Sequence, residues 1–198
     1  EILVVIVVVG ILSSFILVGM SSISESANIA KSKAFSESLR NSLLTNLVSE
    51  WKLDEGTGTT TYDSWGTNNG TLNNGPTWVT SGCVSNNCLS FDGVNDYINC
   101  GNGNTLNINN AITIEAWINT QDNSKTPQSI VEKGNSGLAI ERNYELRILT
   151  SKIYALIGNG VSSVTITGNT IIQNNKWYYA VFKYDKNNLN LYLNGIRD

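Results

Sequence analysis

The stretch Trp177-Tyr-Tyr-Ala-Val-Phe-Lys-Tyr-Asp-Lys-Asn-Asn-Leu-Asn-Leu-Tyr-Leu-Asn-Gly195 decides the fold. Two short runs of aromatic and aliphatic residues, 177–184 and 188–193, meet at Asn187-Asn188, and Asn194-Gly195 follows the second. Asn and Gly accept the backbone conformations of tight turns, so the pattern predicts strand, turn, strand, turn. Similar short runs recur upstream at 89–91, 97–99, 113–119, 129–132, 137–141, 145–149, 152–157 and 163–167. Turn pairs such as Asn69-Gly70, Asp92-Gly93, Asn109-Asn110 and Asn159-Gly160 punctuate them. Many short strands at such spacing predict an all-β sandwich or jelly roll over residues 49–198.

Residues 1–48 follow a different pattern. From Ile2 to Met20 there is no charge, and Val, Ile and Leu dominate. Interrupted only by Gly10, Ser13, Ser14 and Gly19, these nineteen residues come close to the roughly 20 that cross a hydrocarbon core as a helix, and they exceed the usual core of a removable signal peptide. The helical pattern continues through residues 21–48, free of Pro and Gly. There Ile23, Ala27, Ala30, Ala34, Leu43 and Leu47 form a narrow apolar stripe suited to a globular domain or to neighbouring helices. The expected fold class is therefore α+β: a long N-terminal hydrophobic helix, residues 1–48, followed by the sandwich.

Composition narrows the chemistry. Among 198 residues, 13 basic and 16 acidic side chains give a formal charge of −3, with no basic block to neutralise phosphates, so no nucleic-acid partner is expected. Histidine is absent, which removes every mechanism needing an imidazole base or ligand. The chain lacks an initiator Met and stops soon after Asn194-Gly195, so we expect it to be part of a longer protein.

Two resemblances sharpen this reading. Glu1-Ile-Leu-Val-Val-Ile-Val-Val-Val-Gly-Ile-Leu12 resembles the mature N terminus of type IV pilins and pseudopilins. The resemblance implies that Glu1 acts in assembly by pairing with the terminal amine of an adjacent subunit, since a carboxylate at the edge of hydrocarbon needs such a partner. The second is carried by five ordered motifs: Glu50-Trp-Lys-Leu-Asp-Glu-Gly-Thr-Gly58, Tyr62-Asp-Ser-Trp-Gly-Thr-Asn-Asn-Gly-Thr-Leu72, Cys88-Leu-Ser-Phe-Asp-Gly-Val-Asn-Asp-Tyr97, Ile112-Thr-Ile-Glu-Ala-Trp-Ile118 and the stretch from Trp177 to Gly195. Together they look like the laminin G-like, concanavalin A-like jelly roll, whose closing strands would follow Asp198.

That second resemblance implies a possible Ca²⁺ cofactor held by the loop 62–70, with Asp63 as the metal ligand and Asn68 assisting; an Asx-turn, in which Asp63 accepts only backbone hydrogen bonds, is the competing expectation. Cys83 and Cys88 bracket a short turn that permits a disulfide, leaving Cys100 unpaired. Glycoside hydrolysis needs two carboxylates, and Glu115 has no second acid beside it on its strand, so no catalytic residues are expected. Trp65, Trp78, Tyr144, Tyr178 and Tyr184 are available as sugar platforms, whereas Trp51, Trp117 and Trp177 are expected in the core.

The resulting expectation is a single-pass membrane protein with an extracytoplasmic domain, reaching the cell surface as a filament subunit. Its partners would be other pilin or pseudopilin subunits, the cytoplasmic membrane, and a glycan or other extracellular surface ligand for adhesion. A pseudopilin of a type II secretion or DNA-uptake system is one alternative. A membrane-tethered carbohydrate-active enzyme is the other, disfavoured by the absence of an acid pair.

Overall fold

The computed structural model describes residues 2–108, 110–134 and 142–198, with side chains described from Ile23 onward. Helix α1, Ile2–Leu43, opens the chain, and one 3-10 turn at Leu44–Asn46 ends it. The strands that follow are β1 (Thr60–Thr61), β2 (Gly70–Asn73), β3 (Thr77–Val79), β4 (Cys88–Ser90), β5 (Tyr97–Asn99), β6 (Ile112–Asn119), β7 (Gln128–Gly134), β8 (Arg142–Leu149), β9 (Lys152–Gly158), β10 (Ser163–Thr167), β11 (Trp177–Tyr184), β12 (Leu189–Leu193) and β13 (Ile196–Arg197). Nine of the ten expected strands fall on observed ones. The tenth, 137–141, lies outside the described residues.

Two four-stranded sheets form the sandwich, ordered β10-β9-β8-β7 and β13-β12-β11-β6, with every neighbouring pair antiparallel. Alternation along each strand sends every second side chain inward. Ile112, Tyr178, Ala180, Phe182, Leu191 and Leu193 of one sheet thereby meet Tyr144, Leu146, Ile148, Ile153, Ala155 and Ile157 of the other. Burying a Leu, Ile or Phe side chain contributes roughly 1.5–3 kcal/mol, so this interface is the main source of the fold's stability. The small sheet β1-β2-β5 and the hairpin β3-β4 complete the domain.

The inward register corrects several aromatic assignments. Tyr144 and Tyr178, expected as sugar platforms, are buried at 5% and 9% exposure. Trp117 and Trp177 occupy the outward positions of β6 and β11, and they and Trp51 are half-buried rather than core. The Trp177 indole instead donates to the Gly82 carbonyl at 2.8 Å.

Helix α1 forms a third layer over the outer face of the sheet β6-β11-β12. Phe35 stands edge-on to Tyr179, with centroids 6.2 Å apart, and also meets Tyr192 at 6.1 Å. Ser32 is fully buried, and Ser36 Oγ donates to Glu115 at 3.2 Å. The side chains of Ile29, Ser32, Phe35, Ser36 and Leu39 thus make the docking face, at the helical spacing of three and four. The expected stripe is displaced from it: Ile23, Ala27, Ala30 and Ala34 are exposed. Periodicity favours Ala over Ser, but the small Ser32 side chain fits the close approach of helix to sheet, and Ser36 reaches the Glu115 carboxylate there.

Among the described residues, no helix is long and apolar enough to cross a membrane. The segment expected to do so, residues 2–20, and Glu1 both lie outside the side chains described.

Candidate functional site: a polar cleft between β5 and β7

An open cleft of about 580 Å³ lies where the exit of β5 meets the end of β7, lined by Asn99, Gly101, Asn102, Glu132, Lys133 and Gly134. One local and one long-range hydrogen bond hold its walls. Asn99 Oδ1 accepts from the Gly101 N–H at 2.9 Å, and the Lys133 ammonium donates to Asn102 Oδ1, tying one wall to the other. Alternation along β5 turns Ile98 inward and leaves Tyr97 and Asn99 exposed on the outer side. Across the ladder, Asn73 pairs with Tyr97 and Thr71 with Asn99, so a Thr, Asn and Tyr surface runs up to the cleft.

Behind Glu132 stands a charge network that the sequence reading did not find. Glu132 and Glu145 are cross-strand partners on β7 and β8. Arg142 Nε lies 3.3 Å from Glu132, Arg142 Nη1 lies 3.1 Å from Glu145, and Arg147 Nη1 lies 2.9 Å from Glu145. The Arg147 guanidinium also sits 4.5 Å above the Tyr154 ring. Glu145 is fully buried, and burial pushes its pKa up while Arg147 and Arg142 oppose that shift.

Two carboxylates on adjacent strands are the raw material of a glycosidase, so the expectation that the chain lacks an acid pair needs correcting. The geometry turns this pair away from hydrolysis, however. A general acid must reach the glycosidic oxygen, and Glu145 has no surface open to solvent while two guanidinium groups engage its carboxylate. The pair braces the sheet and holds Glu132 at the cleft wall. Glu115 is likewise occupied: it lies beneath α1, where burial raises its pKa against the Ser36 hydrogen bond.

The loop 62–70 resolves into a hydrogen-bonded turn. Asp63 Oδ1 accepts from the backbone N–H groups of Glu50 at 2.9 Å, Trp65 at 3.1 Å and Gly66 at 2.8 Å, and Oδ2 accepts from Asn68 N–H at 3.0 Å. Burial alone would raise the Asp63 pKa, but these donors outweigh it and hold it down at about 2. A Cβ on Gly66 would fall 2.5 Å from the Val48 carbonyl oxygen and 2.7 Å from Asp63 Oδ2, which is why glycine stands there. The Asn68 amide points its NH₂ at Ser49 Oγ, 2.7 Å away, and its oxygen accepts from Thr105.

These residues do not fit a Ca²⁺ ion, because positively polarised N–H groups surround the one carboxylate that would bind it. Asp63 and Asn68 instead pin the helix exit to the sandwich. Among the described residues, no group of three or more His, Cys, Asp or Glu side chains stands together to hold a metal.

Cys83 and Cys88 are disulfide-bonded, with Cα atoms 5.7 Å apart, and Cys100 is free. The bridged loop is a junction: Lys33 of α1 donates to the Val84 carbonyl at 2.8 Å, and Trp177 reaches Gly82 from the other side. Trp65 is exposed but lies 5.9 Å from the Arg40 guanidinium, which also pairs with Glu50 at 2.9 Å.

Residues 92–198, more than half of the chain, match the family model described as the concanavalin A-like lectin/glucanases superfamily, of laminin G type. No curated protein matches the chain. The match takes in the core strands β6 to β12 and the β7 wall of the cleft. With its two facing antiparallel sheets, the chain belongs to the concanavalin A-like lectin/glucanases superfamily.

Proposed function

We propose that this protein is a surface-displayed, non-catalytic binding subunit. Its laminin G-like sandwich contacts glycans or another extracellular surface ligand, and its N-terminal helix serves membrane insertion and filament assembly in the manner of a type IV pilin. The observation that supports the reading is the length of α1 together with the sequence of its first half. A 42-residue helix is about 63 Å long, whereas the longest strands, of eight residues, span roughly 27 Å. The helix therefore exceeds the length of those strands, and among its described side chains those from Ile29 to Arg40 make the docking contacts. The remainder begins with the apolar run of residues 2–20 behind Glu1. Such a helix suits one end to a domain and the other to hydrocarbon or to copies of itself.

The test is expression of the full reading frame in a piliated host, with and without Glu1→Ala, followed by shearing of surface filaments. Recovery of the wild type in the sheared fraction and loss of the variant from it, with equal total protein, supports the pilin-like reading. Retention of both in the envelope, with export of a secreted reporter or DNA uptake impaired by the variant, points to a secretion or uptake pseudopilin. Equal recovery of both in the sheared fraction defeats the argument from Glu1.

A further inference from the structure

We propose that the cleft between β5 and β7 binds a neutral, hydroxyl-rich oligosaccharide, with the Tyr97 ring stacked on a sugar and Asn99, Asn102 and Glu132 hydrogen-bonding its hydroxyls. This rests on the glycan-binding reading above and gives it a place and a chemistry.

Size comes first. At about 580 Å³ the cleft lies within the roughly 300–1,000 Å³ typical of sites for small ligands. Its polar groups come next. A sugar hydroxyl both donates and accepts, and a side-chain amide offers both functions at once. Asn99 spends its oxygen on Gly101 and Asn102 spends its oxygen on Lys133, so each presents an NH₂ as donor. Glu132 supplies acceptors at the facing wall, and Arg142 fixes its orientation.

Charge selects between sugar classes. Glu132 and Lys133 are opposite in sign, and each is already engaged by a protein partner. Among the described residues that line the cleft, no uncompensated positive charge remains to favour a sulfated or uronic chain.

The aromatic ring completes the site. Tyr97 is 49% exposed and stands on β5 two residues from Asn99 on the same side, so it borders the cleft at the Asn99 end rather than lining it. A ring held by a β-ladder loses little freedom on stacking, and its apolar face complements the C–H face of a pyranose. Among the other exposed aromatics, Trp65 lies at the Arg40 junction, and Tyr62 and Phe91 lie outside the strand that carries Asn99.

Isothermal titration of the full chain in detergent, using neutral hexasaccharides of glucose, xylose, mannose and galactose with a heparin hexasaccharide as anionic control, tests the proposal. At least one neutral sugar should bind, and Tyr97→Ala and Asn99→Ala should each weaken it tenfold or more. Trp65→Phe should stay within twofold. Hydrogen exchange on the wild type gives an independent reading: bound sugar should slow amides in 97–102 and 128–134. Binding with both variants within twofold of wild type and protection elsewhere overturns the site while leaving glycan binding intact. Binding of heparin alone overturns the neutral-sugar assignment. Absence of binding by every sugar at millimolar concentration overturns the site and the glycan reading together.

Discussion

Glu132 and Glu145 face each other across the β7–β8 ladder, and the Arg142 guanidinium lies within 3.3 Å of both. Like charges directly opposite on a sheet repel, so the pairing is tolerable only with the guanidinium groups present. Glu145→Gln keeps the shape and removes the charge, leaving the half-buried Arg147 against a neutral amide. Losing one member of a buried charge network costs about 3 kcal/mol, which for a domain of this size lowers Tm by roughly 10 °C. Calorimetry of the variant checks this. A fall of one or two degrees contradicts a bracing role.

Asp63 predicts an acid-labile junction. Its folded pKa of about 2 lies below the ordinary aspartate value near 3.9. A depressed carboxylate pKa stabilises the fold fully above the unfolded value and loses that contribution as pH falls through the folded one. On the order of 2 kcal/mol should therefore vanish between about pH 4 and pH 2. Asp63→Asn should be less stable than wild type by a similar amount at pH 7, and the gap should close by pH 2. Urea unfolding at a series of pH values measures the difference directly. EDTA and added Ca²⁺ should leave both curves unchanged, since the turn is held by N–H donors.

The two faces of α1 predict separable defects. Phe35 packs on Tyr179 and Tyr192, and its ring also lies 3.3 Å from the position a Cβ would take on Gly195. Phe35→Ala should cost about 2 kcal/mol and loosen the helix from the sheet. Ala30→Arg lies on the exposed side and should shift stability by no more than about 0.5 kcal/mol. In the proposed filament that same variant should block assembly. Thermal melts paired with filament recovery separate the two effects.

Reducing the Cys83–Cys88 bridge should have a modest effect. A loop of about five residues restricts the unfolded chain by only about 2 kcal/mol. The local effect should be larger, because Lys33 and Trp177 both hydrogen-bond into this loop. Trp177 fluorescence, read in a chain whose other tryptophans are replaced by Phe, should change on reduction before global unfolding does.

Much of the architecture was legible because alternation and Asn-Gly turns are local signals. The runs 97–99, 163–167 and 177–184 coincide with β5, β10 and β11. Strands β1 and β13, two residues each, are too short for alternation to declare itself. Which side of a strand faces in was harder, since a one-residue slip exchanges the faces. Large aromatics therefore point to Trp177 and Trp117 as inward, whereas Tyr178 and Tyr144 hold inward positions. The same limit hid the cleft. Glu132 and Glu145 are thirteen positions apart, and only the β7–β8 register brings them opposite. At Asp63 the sequence allowed both a Ca²⁺ ligand and an Asx-turn, and the converging N–H donors decide for the turn. The docking face of α1 belongs to Ser32, Phe35 and Ser36, because Phe35 packs on Tyr179 and Tyr192 and Ser36 bonds Glu115, contacts across the fold that helical periodicity does not encode.

The most direct test of the central claim is to incubate the full chain in detergent with insoluble neutral polysaccharides, measuring both protein lost to the pellet and reducing ends released. The account predicts protein in the pellet, displaced by soluble oligosaccharide, with no reducing ends above background at any pH from 4 to 8. Reducing ends that accumulate with time and vanish in Glu132→Gln would show a glycosidase built on the Glu132–Glu145 pair, and would contradict the account.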